Sequence, residues 1–189
     1  MLDQTETAAP NSTELKDPGE PTETIVDRFL ANASERPSEP ALYDKENGSW
    51  ESISWEEYEE KCRLFAGALI ASGYESNDKL SISGFNCPEW VIADIGAMMA
   101  RGVPLGIYQT NSPSEFAYIA NHSESKIVVL EDREQWEKVD KKRDELPHIE
   151  RVVMMNDAEE LSDEDDQVVG FADFLEEGRD HLAAVDERI

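Results

Sequence analysis

Lys79-Leu80-Ser81-Ile82-Ser83-Gly84-Phe85, Val103-Pro104-Leu105-Gly106-Ile107-Tyr108 and Lys126-Ile127-Val128-Val129-Leu130 are three short strand-like runs separated by two helix-patterned segments. The first separator opens at Asn86-Cys87-Pro88-Glu89. It carries Trp90, Val91, Ile92, Ile95, Met98 and Met99 to Arg101, and Gly102 breaks it. The second opens at Ser112-Pro113-Ser114-Glu115 and ends near Glu124. The order strand, helix, strand, helix, strand predicts an α/β fold, a mostly parallel sheet flanked by helices on both faces. Parallel strands covered on both faces read as continuously apolar, and Ile127 to Leu130 does.

Outward from this stretch, the pattern extends in both directions. Residues 1–23 have little apolar content and contain Pro10, Pro18 and Pro21, so a disordered acidic leader is expected there. Ile25, Val26, Phe29 and Leu30 recur at helical spacing from about Thr24, and Arg36-Pro37 ends that helix. Asn47-Gly48 between Ala41-Leu42-Tyr43 and Trp50-Glu51-Ser52-Ile53-Ser54 predicts a small hairpin, because both turn residues tolerate positive φ. Ser54-Trp55-Glu56-Glu57 reads as a capping box, and Tyr58, Cys62, Phe65 and Leu69 follow as a buried stripe up to Gly73. The same device is expected at Asn86 with Glu89 and at Ser112 with Glu115. A helix from Glu134 to Leu146-Pro147, a strand over 149–155 and a short helix from Phe171 complete the expected α/β unit, residues 24–181. Residues 182–189 are expected to be a tail.

Of the 189 residues, 17 are Lys or Arg and 43 are Asp or Glu, a formal charge of −26. Such a chain repels nucleic-acid phosphates, so no nucleic-acid partner is expected. Cys62 and Cys87 form no C-x-x-C and read as buried reduced thiols. No basic-plus-apolar leader is visible, and Trp90 to Ala100 is interrupted by Asp94 and too short to span a bilayer. A cytoplasmic location without a transmembrane segment is expected, with room for peripheral membrane association.

No complete catalytic constellation is legible. G-x-x-x-x-G-K-[ST], G-x-G-x-x-G and G-x-S-x-G are all absent. His122, His148 and His181 are widely separated, and His122 reads as a helix-end or surface residue. Ser83 has no base nearby in sequence and reads as an ordinary strand residue. Seven acids between Asp157 and Asp166 lack the ordered spacing and glycine of a calcium loop, and read as a solvated loop. Phe85 and Asn86, and Tyr108 to Asn111, occupy strand carboxyl ends, where sheets of this kind bind ligands. Trp90 and Tyr108 are candidates to line a pocket there, with core packing the default. No catalytic, cofactor-binding or metal residue is assigned.

Gly84-Phe85-Asn86-Cys87-Pro88-Glu89-Trp90-Val91-Ile92-Ala93-Asp94, Gly106-Ile107-Tyr108-Gln109-Thr110-Asn111-Ser112-Pro113 and Asn121-His122-Ser123-Glu124-Ser125-Lys126 together resemble the N-terminal region of long-chain acyl-CoA synthetases of the bubblegum type. Ile53-Ser54-Trp55-Glu56-Glu57-Tyr58 is similar to the Thr-Tyr-x-Glu-Leu motif of adenylate-forming, AMP-binding enzymes. The resemblance runs from about Thr24 to Glu177. It implies a parent ligase that activates a fatty acid with ATP and Mg²⁺ to an acyl-adenylate and transfers the acyl group to coenzyme A (CoA). The family's Ser/Thr/Gly-rich phosphate loop ending in Pro-Lys-Gly, its adenine-binding motifs and its C-terminal domain follow the region matched here. The expectation is therefore an N-terminal fragment from a truncated gene, inert on its own and binding none of these cofactors tightly. The alternative is a free-standing, non-catalytic α/β module that binds a nucleotide or a partner.

Overall fold

The structure is a computed structural model that describes residues 23–46 and 48–189. The expected leader lies outside the described residues except for Glu23, and so does Asn47 of the expected turn.

Helix α1 (Ile25–Glu35) starts at Thr24, whose side chain accepts the Asp27 amide in a capping box. Strands β1 (Pro40–Glu46) and β2 (Ser49–Ser54) pair antiparallel as a separate two-stranded sheet, with Gly48 at φ +87°. Helix α2 (Trp55–Ala71) begins at the Ser54–Glu57 capping box and stops at Gly73, φ +78°. The main sheet follows: β3 (Lys79–Ser83), α3 (Pro88–Met99), β4 (Val103–Ile107), α4 (Pro113–His122), β5 (Ser125–Leu130), α5 (Arg133–Asp140), β6 (Arg151–Met154), α6 (Ala158–Leu161), β7 (Val168–Gly170), α7 (Phe171–Glu177) and α8 (Leu182–Arg188). Its strands are all parallel, in the order β4-β3-β5-β6-β7. Pro104 is tolerated because β4 is an edge strand that, among the described residues, pairs only with β3.

The pleat divides the core in two. Leu80, Ile82, Ile127, Val129 and Val153 point to one face and pack under α1, α2, α3, α7 and α8. Val128, Leu130, Val152 and Met154 point to the other and pack under α4, α5 and α6. On that second face β3 presents serines. The Ser81 and Ser125 hydroxyls share a hydrogen bond of 2.7 Å, which satisfies both in the interior.

Two expectations are corrected, and one strand is added. The helix after β3 is not capped by Asn86 paired with Glu89: its N-cap is Cys87, with no side-chain cap bond. Pro88 occupies the first helical turn, where its missing N–H is harmless, and this places the start one residue beyond Asn86. The last residues are not a tail. Helix α8 buries Val185, and the Arg188 guanidinium donates to the carbonyls of Tyr74 and Ala100 at 2.9 Å each. Strand β7, absent from the sequence reading, is only three residues long, too short for alternation to register.

Candidate functional site

In an open parallel sheet, ligands bind outside the carboxyl ends of the strands, near where successive connections depart in opposite directions. Here the chain leaves β3 for β4 on one side and returns to β5 on the other, so this point lies between β3 and β5. A cleft of about 540 Å³ opens beside it, lined by the segments following β3 and β4 and by Trp90 of α3.

Its floor is Trp90 lying over Gly106: a Cβ at 106 would sit 3.3 Å from Trp90 Cζ2. Its rims are Phe85, 64% exposed, and Tyr108, 78% exposed. Trp90 and Tyr108 do meet at one cleft, and core packing does not describe Tyr108. Asn86 and Gln109 add polar groups, and among the described residues no lining side chain is charged. Asn86 also borders a neighbouring hollow shared with Tyr43 and Trp50 of the hairpin.

Both rims are braced from the β5–α5 segment. The Phe85 amide donates to Glu131 Oε2 at 2.7 Å. Gly84 makes that approach possible, because a Cβ there would lie 2.7 Å from Glu131 Cβ. On the other rim, the Lys138 ammonium donates to the Gln109 carbonyl and, at 2.9 Å, to Gln135 Oε1, which also accepts from Ser83 Oγ at 3.2 Å. The sequence reading singled out neither Glu131, Gln135 nor Lys138. The available signal was Gln135 and Lys138 at i and i+3 on the same side of α5 as the core residues Trp136 and Val139.

The other candidates lie apart from this cleft. His122 is at the exposed end of α4, stacked on Tyr118 at 5.8 Å; His148 is exposed, and His181 belongs to the turn before α8. Ser83 is fully buried and engaged by Gln135. Cys62 is buried, but Cys87 is only half-buried, with Sγ 3.6 Å from Met155 Sδ. Burial pushes the Cys87 thiol up to about 12, so it is protonated at neutral pH. The acidic segment after β6 folds partly into α6, and two of its acids, Glu160 and Glu164, pair with Arg133 at 3.3 Å each. Among the described residues, no group of three or more His, Cys, Asp or Glu side chains could hold a metal ion. No helix among them is long and apolar enough to cross a membrane.

The chain is 34% identical over 160 residues to the Xenopus laevis long-chain-fatty-acid–CoA ligase ACSBG2, covering 85% of this chain and 21% of that protein. It is 30% identical over 140 residues to the Drosophila melanogaster long-chain-fatty-acid–CoA ligase heimdall, covering 72% of this chain and 21% of that protein. The chain thus spans about a fifth of the length of these relatives. Among solved structures, an anthranilate CoA ligase, AuaEII, superposes with a TM-score of 0.68 at 18% identity, covering 80% of this chain and 26% of that one. Coronafacic acid ligase from Pectobacterium brasiliense superposes with a TM-score of 0.70 at 14% identity, covering 80% and 29%. At that identity the two structures speak for the fold. The family described as AMP-binding enzyme matches residues 29–185, and the chain belongs to it.

Proposed function

We propose that this chain is the N-terminal α/β portion, beginning near Thr24, of an ATP-dependent long-chain fatty acid–CoA ligase. The observation that carries the reading is the 34% identity to the Xenopus ligase over most of this chain, on a sheet that superposes on other CoA ligases. The parent's reaction joins a fatty acid to CoA through an acyl-adenylate. Its substrates are a fatty acid, ATP with Mg²⁺, and CoA. The cytoplasm is the proposed location, with at most peripheral membrane contact. The net charge of −26 supports the proposal of no nucleic-acid partner.

The cleft's contribution follows from its chemistry. A triphosphate needs cationic side chains, a metal or converging amides. The cleft lining offers no cationic side chain, so it does not fit ATP or Mg²⁺. Phe85, Trp90, Ile107 and Tyr108 instead fit an apolar group such as part of an acyl chain. This supports the further proposal that the 189 residues alone are inert.

The test compares fatty-acid-dependent ATP–pyrophosphate exchange and acyl-CoA formation by the 189-residue chain and by the product of the complete reading frame containing it. Activity is expected only in the longer product. A reading frame that stops after Ile189, or a longer product without fatty-acid-dependent exchange, overturns the ligase reading.

A further inference from the structure

We infer that Glu131 and Lys138 are positioning residues for the cleft, holding its two rims by opposite charges from one short segment. The inference deepens the proposed function at that same site and rests on the cleft being the acyl-facing surface.

Beyond the end of β3, the Phe85 amide has left the sheet ladder, and the Glu131 carboxylate accepts its hydrogen bond. Glu131 is itself fixed. Its amide donates to the Ser83 carbonyl at 3.0 Å, and its carbonyl accepts from the Asn156 amide at 2.9 Å and from Asn156 Nδ2 at 3.0 Å. A carboxylate on so rigid a base holds the Phe85 rim at a defined height. Charge-assisted bonds of this kind are roughly twice as strong as neutral ones.

Beyond the end of β4, the chain exposes a carbonyl where Phe85 exposed an amide, and the bracing group has the opposite sign. Lys138 is only 8% exposed, and among the described residues no carboxylate lies within 4.0 Å of its ammonium. Its acceptors are the Gln109 carbonyl and Gln135 Oε1. A buried ammonium without a counter-charge is a poor source of stability, and an apolar side chain of similar length serves packing at least as well. What methionine could not do is hold the Gln109 carbonyl. The turn that follows, closed by Asn111 donating to the Tyr108 carbonyl at 2.9 Å, carries the Tyr108 rim with it.

The experiment measures amide hydrogen exchange across the 189-residue chain for wild type, Lys138→Met, Lys138→Arg and Glu131→Ala, together with urea unfolding midpoints. Lys138→Met is expected to speed exchange about tenfold or more in 108–112 only. Its urea midpoint is expected to stay level or rise. Lys138→Arg, which keeps a cationic donor, is expected to restore slow exchange there. Glu131→Ala is expected to speed the Phe85 amide by a similar factor and leave 108–112 unchanged. Unchanged exchange at the rims, acceleration spread evenly over the sheet, or failure of arginine to restore protection overturns the inference. No substrate is involved, so this result and the outcome of the ligase assay stand or fall separately.

Discussion

Replacing Gly178 by alanine tests how α7 and the residues after it are held against α2. A Cβ at 178 would lie 1.9 Å from the Leu64 carbonyl oxygen and 2.6 Å from the Ala68 nitrogen, both backbone atoms of α2 that cannot rotate aside. Gly67 faces the same crossing, where its Cβ would lie 2.4 Å from the Gly178 carbonyl oxygen. Real Cβ contacts essentially never fall below 3.0 Å. The end of α7 at Gly178 must therefore lift from α2 by about 1 Å and carry α7 with it, enough to forfeit roughly a quarter to a half of each dispersion contact across the gap. Those contacts include Phe65 stacked on Phe171 at 5.4 Å and edge-on to Phe174 at 5.2 Å. Overpacking costs about 1–3 kcal/mol, and weakening two aromatic pairs adds to it, so a loss of about 3 kcal/mol is expected. At a urea slope of about 2 kcal/mol/M, the midpoint followed by circular dichroism falls by about 1.5 M. The sign is diagnostic. Gly178 has φ −78°, which alanine adopts freely, so unfolded-state entropy alone would make the change mildly stabilising. Gly67→Ala is expected to cost a similar amount, and the double variant less than the sum, because one separation relieves both clashes. A midpoint within about 0.3 M of wild type, with an unchanged slope, refutes the contact-distance crossing.

Three further outcomes are expected. Ser54→Ala and Ser112→Ala each remove a capping-box oxygen and lose about 1 kcal/mol in urea unfolding, whereas Asn86→Ala leaves α3 nearly unchanged because its N-cap is Cys87; an equal loss for Asn86→Ala contradicts that assignment. Burial holds the Asp94 carboxyl above its usual range, so its protonated form favours the fold below the unfolded-state value, and that advantage disappears as pH rises through the folded value. Asp94→Asn is therefore expected to stabilise the chain at pH 7 and to converge with wild type in acid, as read from paired melting curves; no difference at pH 7 contradicts it. Finally, a charge of −26 predicts that the melting temperature rises between 0.05 and 1 M NaCl as self-repulsion is screened. A falling melting temperature would mean that ion pairs such as Arg63–Asp186, at 2.6 Å, outweigh the repulsion.

The sequence by itself determined what is decided within a few residues. Ser54 with Glu57 and Ser112 with Glu115 mark helix starts, because a side-chain oxygen reaches only the next turn's amide. Alternating strand and helix patterns specify the parallel sheet, and continuous apolar runs such as Ile127–Leu130 mark strands covered on both faces. The rule that set α3 was also local, although Asn86 obscured it: the residue before a first-turn proline is the cap, Ser112 before Pro113 and Cys87 before Pro88. The cleft was half legible. Strand carboxyl ends pointed to Phe85, Trp90 and Tyr108, but nothing near them in sequence names Glu131 or Lys138. Only the tertiary structure decided those partners, because Phe85 meets Glu131 across 46 residues and Gln109 meets Lys138 across 29. Helix α8 belongs to the same class. Its seven residues are too few to hold a helix alone, and it is docked through Val185 and through Arg188 on carbonyls contributed by Tyr74 and Ala100. Local pattern specifies an element when its stabilising contacts lie within a turn or two. When those contacts come from another layer of the fold, packing alone decides.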